Sequence, residues 1–258
     1  MGVIRTSIKE SLAYKFEFFA TIIVAPITLL VFYYLWSAIF GATGEVIAGF
    51  NFEEMITYYV LIWIVGIFTY TNIEQELRYL VRSGQLVRDL LKPNKFVNHT
   101  FCVTIGNRLF AVVAEMIPLL IISFIFLPMT VDYTYLPLFL FSLIIAFLLT
   151  FLFYFISGMS AFWLINNNGI LKMRRILYVY LSGGVLPLTF FPDWFQAISH
   201  YLPFQYLIFV PANIWLGRYT LPQIGELMLI AIIWIFIFYW IYTMIWRKAM
   251  GKIAAVGI

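Results

Sequence analysis

Residues 136–165 read LPLFLFSLIIAFLLTFLFYFISGMSAFWLI, and none of these thirty residues carries a charge. This length exceeds the roughly 20 residues that an α-helix needs to cross a hydrocarbon core about 30 Å thick. Inside that core every backbone amide and carbonyl must be paired within the protein, so such a run folds as a helix. The stretch therefore predicts an all-α integral membrane protein.

The whole chain has the composition of a membrane protein. Of its 258 residues, 64% are hydrophobic and only 11% are charged, which excludes a soluble globular domain. Further long apolar runs occur before and after residues 136–165. We predict a single domain, residues 1–258, in which a six-helix bundle has spans at residues 19–40, 55–72, 109–129, 136–165, 176–191 and 225–246.

The positive charges set the number and direction of the spans. With six spans and a cytoplasmic amino terminus, fifteen of the sixteen Lys and Arg residues lie on the cytoplasmic side, and only Arg218 lies outside. Counting residues 194–217 as a seventh full span would break this pattern, which membrane proteins generally follow. Both termini are therefore expected in the cytoplasm.

Residues 176–217 are rich in helix-breaking glycine and proline. We predict a short fifth span over residues 176–191 and an outer re-entrant segment over 192–217, because irregular backbone at membrane depth needs protein or a wet cavity around it. One kinked helix with a hydrophobic loop is the alternative. The candidates for a gate, which could also form an ordinary aromatic belt, are Gly183, Gly184, Pro187, Phe190, Phe191 and Trp194.

Residues 1–18 precede the first span and carry apolar residues at spacings of three or four, with charges between them. This pattern predicts an amphipathic helix lying on the inner membrane surface. A simple cytoplasmic lead-in with positive-inside charges is the alternative.

The cytoplasmic stretch 73–96 reads IEQELRYLVRSGQLVRDLLKPNKF. Its first half extends the second span into water, with Glu74, Glu76, Arg78 and Arg82 on the water-facing sides. Ser83 and Gly84 are expected to stop this helix. A second short helix would end at Pro93 and expose an apolar patch formed by Leu86, Leu90 and Leu91. Such a patch fits a groove on a partner, or the lipid headgroups if it is an interfacial helix.

Glu115 is the one clearly intramembrane acid, within the third predicted span. An ionised carboxylate at this depth should face protein, a partner or a wet cavity. It could contact a polar or cationic part of a solute, or it could bond to a neighbouring helix or be protonated.

No pattern of residues indicates catalysis. The single cysteine, Cys102, has no cluster of metal-ligating residues around it in the sequence, and no P-loop motif occurs. We expect no catalytic residue, metal or cofactor in this chain. A passive channel or an assembly scaffold stays open, whereas a lipid-modifying enzyme is disfavoured because no polar group has an activating partner in view.

Three stretches carry a family resemblance. VRSGQLVRDLLKPNKF, residues 81–96, is similar to the segment between the second and third spans of type-2 permeases of ABC transporters. Residues 183–217 resemble their outer re-entrant segment, and residues 246–258 resemble their basic carboxyl end. With the six spans, the resemblance covers essentially the full length and is greatest to the small subfamily with chains of roughly 260 residues. Departures are Val81 in place of isoleucine, and the pair Asn94 and Lys95 after the proline.

The resemblance implies a non-catalytic permease subunit in the plasma or inner membrane of a prokaryote. It would pair with a second permease, identical or related, and with two ABC ATPase subunits that bind ATP and Mg²⁺. It would export a lipid-like, glycan-lipid or hydrophobic drug-like solute. In such families the segment after the second span is a coupling helix that inserts into the ATPase, a role that falls here on Arg82, Gly84, Gln85, Leu86, Arg88, Asp89, Leu90, Leu91, Lys92 and Pro93.

Overall fold

The computed structural model describes residues 15–43, 46–86, 96–130, 133–164 and 166–255, with the side chains of these ranges other than 15–22, 43 and 252–255. It is 84% helical, and its described residues form no β-strand, so the all-α fold class is confirmed. The predicted helix over residues 1–18 lies almost wholly outside the described residues. The α-helices are α1 (Lys15–Thr43), α2 (Phe52–Thr69), α3 (Ile73–Arg82), α4 (Phe96–Ala111), α5 (Ile117–Phe126), α6 (Leu136–Gly158), α7 (Asn168–Leu181), α8 (Asp193–Tyr201), α9 (Phe209–Trp215) and α10 (Leu221–Ala255).

Five helical stretches of the described chain are long and apolar enough to cross a membrane. They overlap five of the six predicted spans, and the count of six stays a prediction. Their bounds are Ile23–Ala42, Phe52–Arg82, Phe96–Phe126, Tyr133–Phe162 and Leu221–Gly251.

The bundle has two ends that are marked by ion pairs. Helix α2 begins beside Arg218, which contacts Glu54, and its 18 residues carry the chain about 27 Å further along the helix axis. There α3 begins, and its Glu74 contacts Arg174. These are named the Arg218 end and the Glu74 end.

Helix α6 lies at the centre of the bundle, where it packs against α2, α3, α9 and α10. Its Ala146, Leu149 and Phe155 are fully buried. By contrast, α1 and α5 carry many exposed large apolar side chains, such as Val31 and Ile125. A helix that is apolar on every side while exposed at the periphery is typical of a membrane span.

The helix from Phe96 to Phe126 changes its winding near its middle. Residues Val112–Met116 form a π-helical turn, and α5 follows with Pro118 in its first turn. Proline has no N–H to donate, and its ring clashes with the carbonyl of residue i−4 in a regular helix. A wider turn just before Pro118 accommodates the ring without ending the helix.

The region predicted as a fifth span is built from pieces. Helix α7 ends at Leu181, and the chain continues through a turn and a 3-10 segment, Leu188–Phe190, into the short helices α8 and α9. These pieces still carry the chain from the Glu74 end to Arg218. The structure therefore differs from one helix over residues 176–191, although the chain does pass between the two ends here.

The turn after α7 is fixed to α2 by a close approach. Gly183 has φ +82°, and its carbonyl accepts a hydrogen bond of 2.8 Å from the Tyr58 hydroxyl. A Cβ atom at Gly183 would lie 2.6 Å from the Tyr58 hydroxyl oxygen and 3.1 Å from the Phe209 Cβ. Glycine is therefore required both by the backbone conformation and by the space.

We expect Gly183→Ala to lower the free energy of unfolding by at least about 1–2 kcal/mol, because a non-glycine residue is strained in this conformation and Tyr58 must also move. Thermal unfolding of the purified protein in detergent measures the loss. The matched control is Gly225→Ala in α10, where an added Cβ meets no atom within 4 Å. Equal stability of the two variants would contradict the requirement.

Candidate functional site

The centre of the Glu74 end is a buried carboxylate. Glu74 is only 1% exposed, and both of its oxygens are bonded. Arg174 Nη2 lies 2.6 Å from Oε1, and the Ser157 hydroxyl donates to Oε2 at 2.7 Å. A buried ion pair is less costly when hydrogen bonds satisfy its remaining polar atoms. Both carboxylate oxygens are satisfied, whereas Arg174 Nε has no hydrogen-bond partner among the described residues. The prediction that Glu74 faces water is wrong.

Arg174 is held from a second side by an aromatic ring. Its guanidinium carbon lies 3.7 Å from the centroid of the Tyr154 ring, a cation–π contact that gains strength in a desolvated place. The Arg174 side chain is 9% exposed. The ion pair and this ring together connect three elements: α3 through Glu74, α6 through Tyr154 and Ser157, and α7 through Arg174.

The backbones of α3 and α6 approach closely at the same point. A Cβ atom at Gly158 would lie 2.9 Å from the Glu74 Cα, a distance that no real side chain permits. Small residues allow such approaches between membrane helices. Gly158 therefore sets the distance at which the Ser157 hydroxyl reaches the carboxylate.

Two further polar contacts hold the start of α7, one to α3 and one to the 3-10 segment Met159–Phe162 that follows α6. Arg78 donates to the Oδ1 atom of Asn168, and the Asn167 amide donates to the Ser160 hydroxyl at 3.0 Å. The link between α3 and α7 therefore extends along both helices from the ion pair.

The segment that leaves α3 is the start of the predicted coupling segment. Helix α3 ends at Arg82, and Gly84 has φ +71°, so the predicted helix stop is confirmed. Arg82 and Gly84 are exposed, and the Gln85 amide approaches the Tyr79 hydroxyl at 3.4 Å.

Leu86 lies differently from the expectation. It is 2% exposed and packs in a core cluster with Leu77, Phe155 and Met159. Leu86 is thus an internal anchor and not part of an exposed patch, which corrects that expectation. The other predicted coupling residues, Arg88, Asp89, Leu90, Leu91, Lys92 and Pro93, lie outside the described residues.

Arg218 is the one basic residue predicted on the outer side of the membrane, and it marks the Arg218 end of the bundle. Arg218 Nη2 lies 3.0 Å from Glu54, and the guanidinium covers the Phe50 ring at 3.5 Å from its centroid. Burial raises the pKa of the neighbouring Tyr219 well above its usual range. Glu54 also closes a capping box with Asn51 at the start of α2.

The predicted gate residues follow the turn at Gly183. A Cβ at Gly184 would lie 3.0 Å from the Val179 carbonyl oxygen. Pro187 is buried and precedes Phe190, whose ring packs edge-on against Trp36 at 5.6 Å between centroids. Phe190 therefore contacts α1 from the interrupted stretch between α7 and α10, residues 182–220, which is named the broken region.

The last gate candidates lie toward α8. Phe191 stacks on Phe195 at 4.7 Å between centroids, whereas Trp194 is 65% exposed. Glu115 lies apart from them, on the π-helical turn, where it lines a small cavity of about 10 Å³ with Pro26, Ile67 and Pro118. The glycines and aromatic residues thus belong to one segment of the chain. Glu115 lies on a different element, beside α1 and α2.

The family of the chain follows from a sequence comparison. The family model described as ABC-2 family transporter protein matches residues 22–257, nearly the full length. The chain belongs to the ABC-2 transporter family. It is therefore a multi-pass membrane permease of an ABC transporter, a family whose members associate with an ABC ATPase subunit. Searches of curated proteins and of solved structures gave no significant match.

Sequence reasoning missed the cluster around Glu74 in this ABC-2 permease. Glu74 and Arg174 stand 100 positions apart, so no local pattern pairs them. The available signal was the topology, which placed opposite charges at the membrane-proximal ends of two spans on the same side. Such charges are expensive to bury singly and are stable when paired.

We expect Arg174→Gln to lower the free energy of unfolding by about 3–5 kcal/mol, because it leaves the Glu74 carboxylate buried without a partner. The double variant Glu74→Gln/Arg174→Gln should recover part of this loss. A double-mutant cycle on thermal or denaturant unfolding in detergent measures the coupling.

The matched control for this cycle is Arg175→Gln, which changes the exposed neighbouring arginine and should have little effect. A loss at Arg174 no larger than that at Arg175, with no recovery in the double variant, would show that the ion pair is not required.

Proposed function

We propose that this ABC-2 permease forms the translocation path for ATP-driven export of a lipid-like, glycan-lipid or hydrophobic drug-like solute. The observation that carries the transporter class is the family match over residues 22–257. The solute class is supported by a composition that is 20% aromatic, since aromatic side chains suit apolar and ring-containing solutes.

The energy comes from partner subunits in this proposal. Two copies of an ABC ATPase bind ATP and Mg²⁺ and hydrolyse the nucleotide, while this chain and a second permease, identical or related, form the path. This chain itself supplies no catalytic residue. Closure of the ATPase pair on ATP would move the membrane helices as rigid bodies.

The orientation is part of the proposal. The Glu74 end faces the cytoplasm of a prokaryote, with both termini on that side of the plasma or inner membrane. Among the described residues the basic side chains of α3, α7 and the end of α10 belong to this end, and Arg218 belongs to the other. An excess of Lys and Arg marks the cytoplasmic side of membrane proteins.

The ATPase is contacted by the coupling segment, residues 82–93, in this mechanism. Exposed Arg82 and Gly84 begin it, and the contact itself is assigned to Gln85 and residues 88–93. Leu86 serves as the anchor that ties the segment to α6. Because α3 extends α2 from the membrane, a displacement of the segment moves α3 and the helices bonded to it.

In this mechanism the displacement of α3 reaches the gate residues through the ion pair between Glu74 and Arg174. Glu74 passes motion of α3 to Arg174 and hence to α7, whose far end is the turn at Gly183. That turn carries the segment 184–194, in which Phe190 packs against Trp36 on α1. A rotation of α7 would thus separate α1 from the broken region and open a path between them.

Glu115 is proposed as a contact for a polar or cationic part of the solute. Single π-helical turns inside α-helices occur frequently at functional sites, and Glu115 lies on one. A structural role at its cavity beside Pro26 is the alternative.

We expect gentle purification of the full chain to retain an ABC ATPase whose ATP turnover responds to the permease. Arg88→Glu and Leu90→Ala should abolish that response without lowering the thermal stability of the membrane part. The matched control is Arg247→Glu, an exposed cation at the same end, which should leave the response intact.

Two outcomes would contradict the proposal. If no ATPase accompanies the chain and reconstituted liposomes show solute flux without ATP, the passive channel is correct. If both variants preserve the response of the ATPase, the coupling role does not belong to residues 82–93.

A further inference from the structure

A groove of about 600 Å³ opens on the side of the Glu74 end. Helix α7 contributes one continuous face to it, with residues at positions i, i+3, i+4 and i+7, which lie on one side of a helix. Helix α6 contributes residues at i, i+3 and i+4, and the 3-10 segment Met159–Phe162 that follows it continues this side of the groove. Helix α10 adds two residues one turn apart. The lining residues are Phe153, Ile156, Ser157, Ser160, Trp163, Ile170, Met173, Arg174, Leu177, Ile245 and Lys248.

The lining is graded along the groove. Helix α6 runs toward the Glu74 end, so Phe153 and Ile156 lie deeper in the bundle than Ser160 and Trp163. Leu177 and Ile245 are on the deeper side for the same reason. The deep part is therefore apolar, and hydroxyls and Lys248 lie toward the membrane surface.

The positive charge of the groove comes from Lys248, which is exposed. Arg174 also lines the groove, but the Glu74 carboxylate neutralises its charge. No acidic side chain is among the described residues that line the groove. Large apolar side chains stay exposed along it, including Met173, 63% exposed, and Trp163, 45% exposed.

We infer that this groove binds one anionic phospholipid of the membrane. The phosphate would lie at Lys248, because the Ser160 hydroxyl already donates to the Ser157 carbonyl and accepts from Asn167. An acyl chain would lie along Met173, Leu177 and Ile245. An apolar wall with a cation at its surface edge complements such a lipid, because acyl burial and attraction of the headgroup to basic side chains both favour it.

A bound lipid would contact the same helices as the Glu74 cluster. The groove shares Ser157 and Arg174 with the Glu74 cluster, so a bound lipid lies on the same helices, α6 and α7, that the ion pair joins. This binding needs neither ATP nor the ATPase, and its test therefore does not depend on the proposed transport function.

Native mass spectrometry of the full chain in detergent, with phosphatidylglycerol or phosphatidylcholine added in equal amounts, tests the inference. We expect one phosphatidylglycerol to bind preferentially. Lys248→Gln should weaken this binding about fivefold, the effect typical of one cation near an anionic headgroup. The matched control is Arg247→Gln, which removes the exposed neighbouring cation that does not line the groove.

A second pair of variants tests the apolar wall. Met173→Trp fills the groove and should also weaken binding severalfold, whereas Ile176→Trp, an exposed residue of α7 outside the groove, should not. Both members of this pair should retain the thermal stability of the wild type, because they change exposed positions.

Four results would overturn the inference. Equal losses for Lys248→Gln and Arg247→Gln would show general attraction of anionic lipid to this end. Equal competition by free glycerol phosphate would show an anion site without an acyl chain. Binding unaffected by Met173→Trp, or equally strong phosphatidylcholine binding, would show that no specific lipid lies in the groove.

Discussion

The buried carboxylate of Glu74 constrains how the extension of the second span joins the bundle. A charge in this position needs a partner of opposite charge and hydrogen bonds at both oxygens, and α7 and α6 supply them through Arg174 and Ser157. Three elements must therefore meet within hydrogen-bond distance of one side chain. Gly158 makes this meeting possible by letting the backbones of α3 and α6 touch.

In the proposed mechanism, this cluster gives the permease a rigid connection at the point where the ATPase acts. Helix α3 is short, and an isolated helix of ten residues is unstable in water. Its stability comes from the burial of Ile73, Leu77 and Leu80 and from the bonds of Glu74 and Arg78. A helix fixed in this way moves together with the bundle, as a coupling element must, and does not bend independently of it.

The broken region after α7 is built differently from the rigid Glu74 end. It consists of short helical pieces joined by turns, and the first turn is tied to α2 by hydrogen bonds from Tyr58 to the Gly183 carbonyl and from Tyr59 to the Val185 carbonyl. Turns between short pieces absorb backbone rotation more readily than a continuous helix does. The fold thus places its rigid contacts at the Glu74 end and its interrupted backbone toward the Arg218 end.

The sequence alone determined the membrane environment and the all-α class, because the length of an apolar run follows directly from transfer into lipid. It also located the end of α3, since the glycine at residue 84 is a local signal. Only the tertiary structure decided that Leu86 points inward, that Glu74 is buried against Arg174 and that α7 stops at Leu181. These features depend on residues up to about 125 positions apart, such as Tyr58 and Gly183, and the chain brings such residues together through packing that no local pattern encodes.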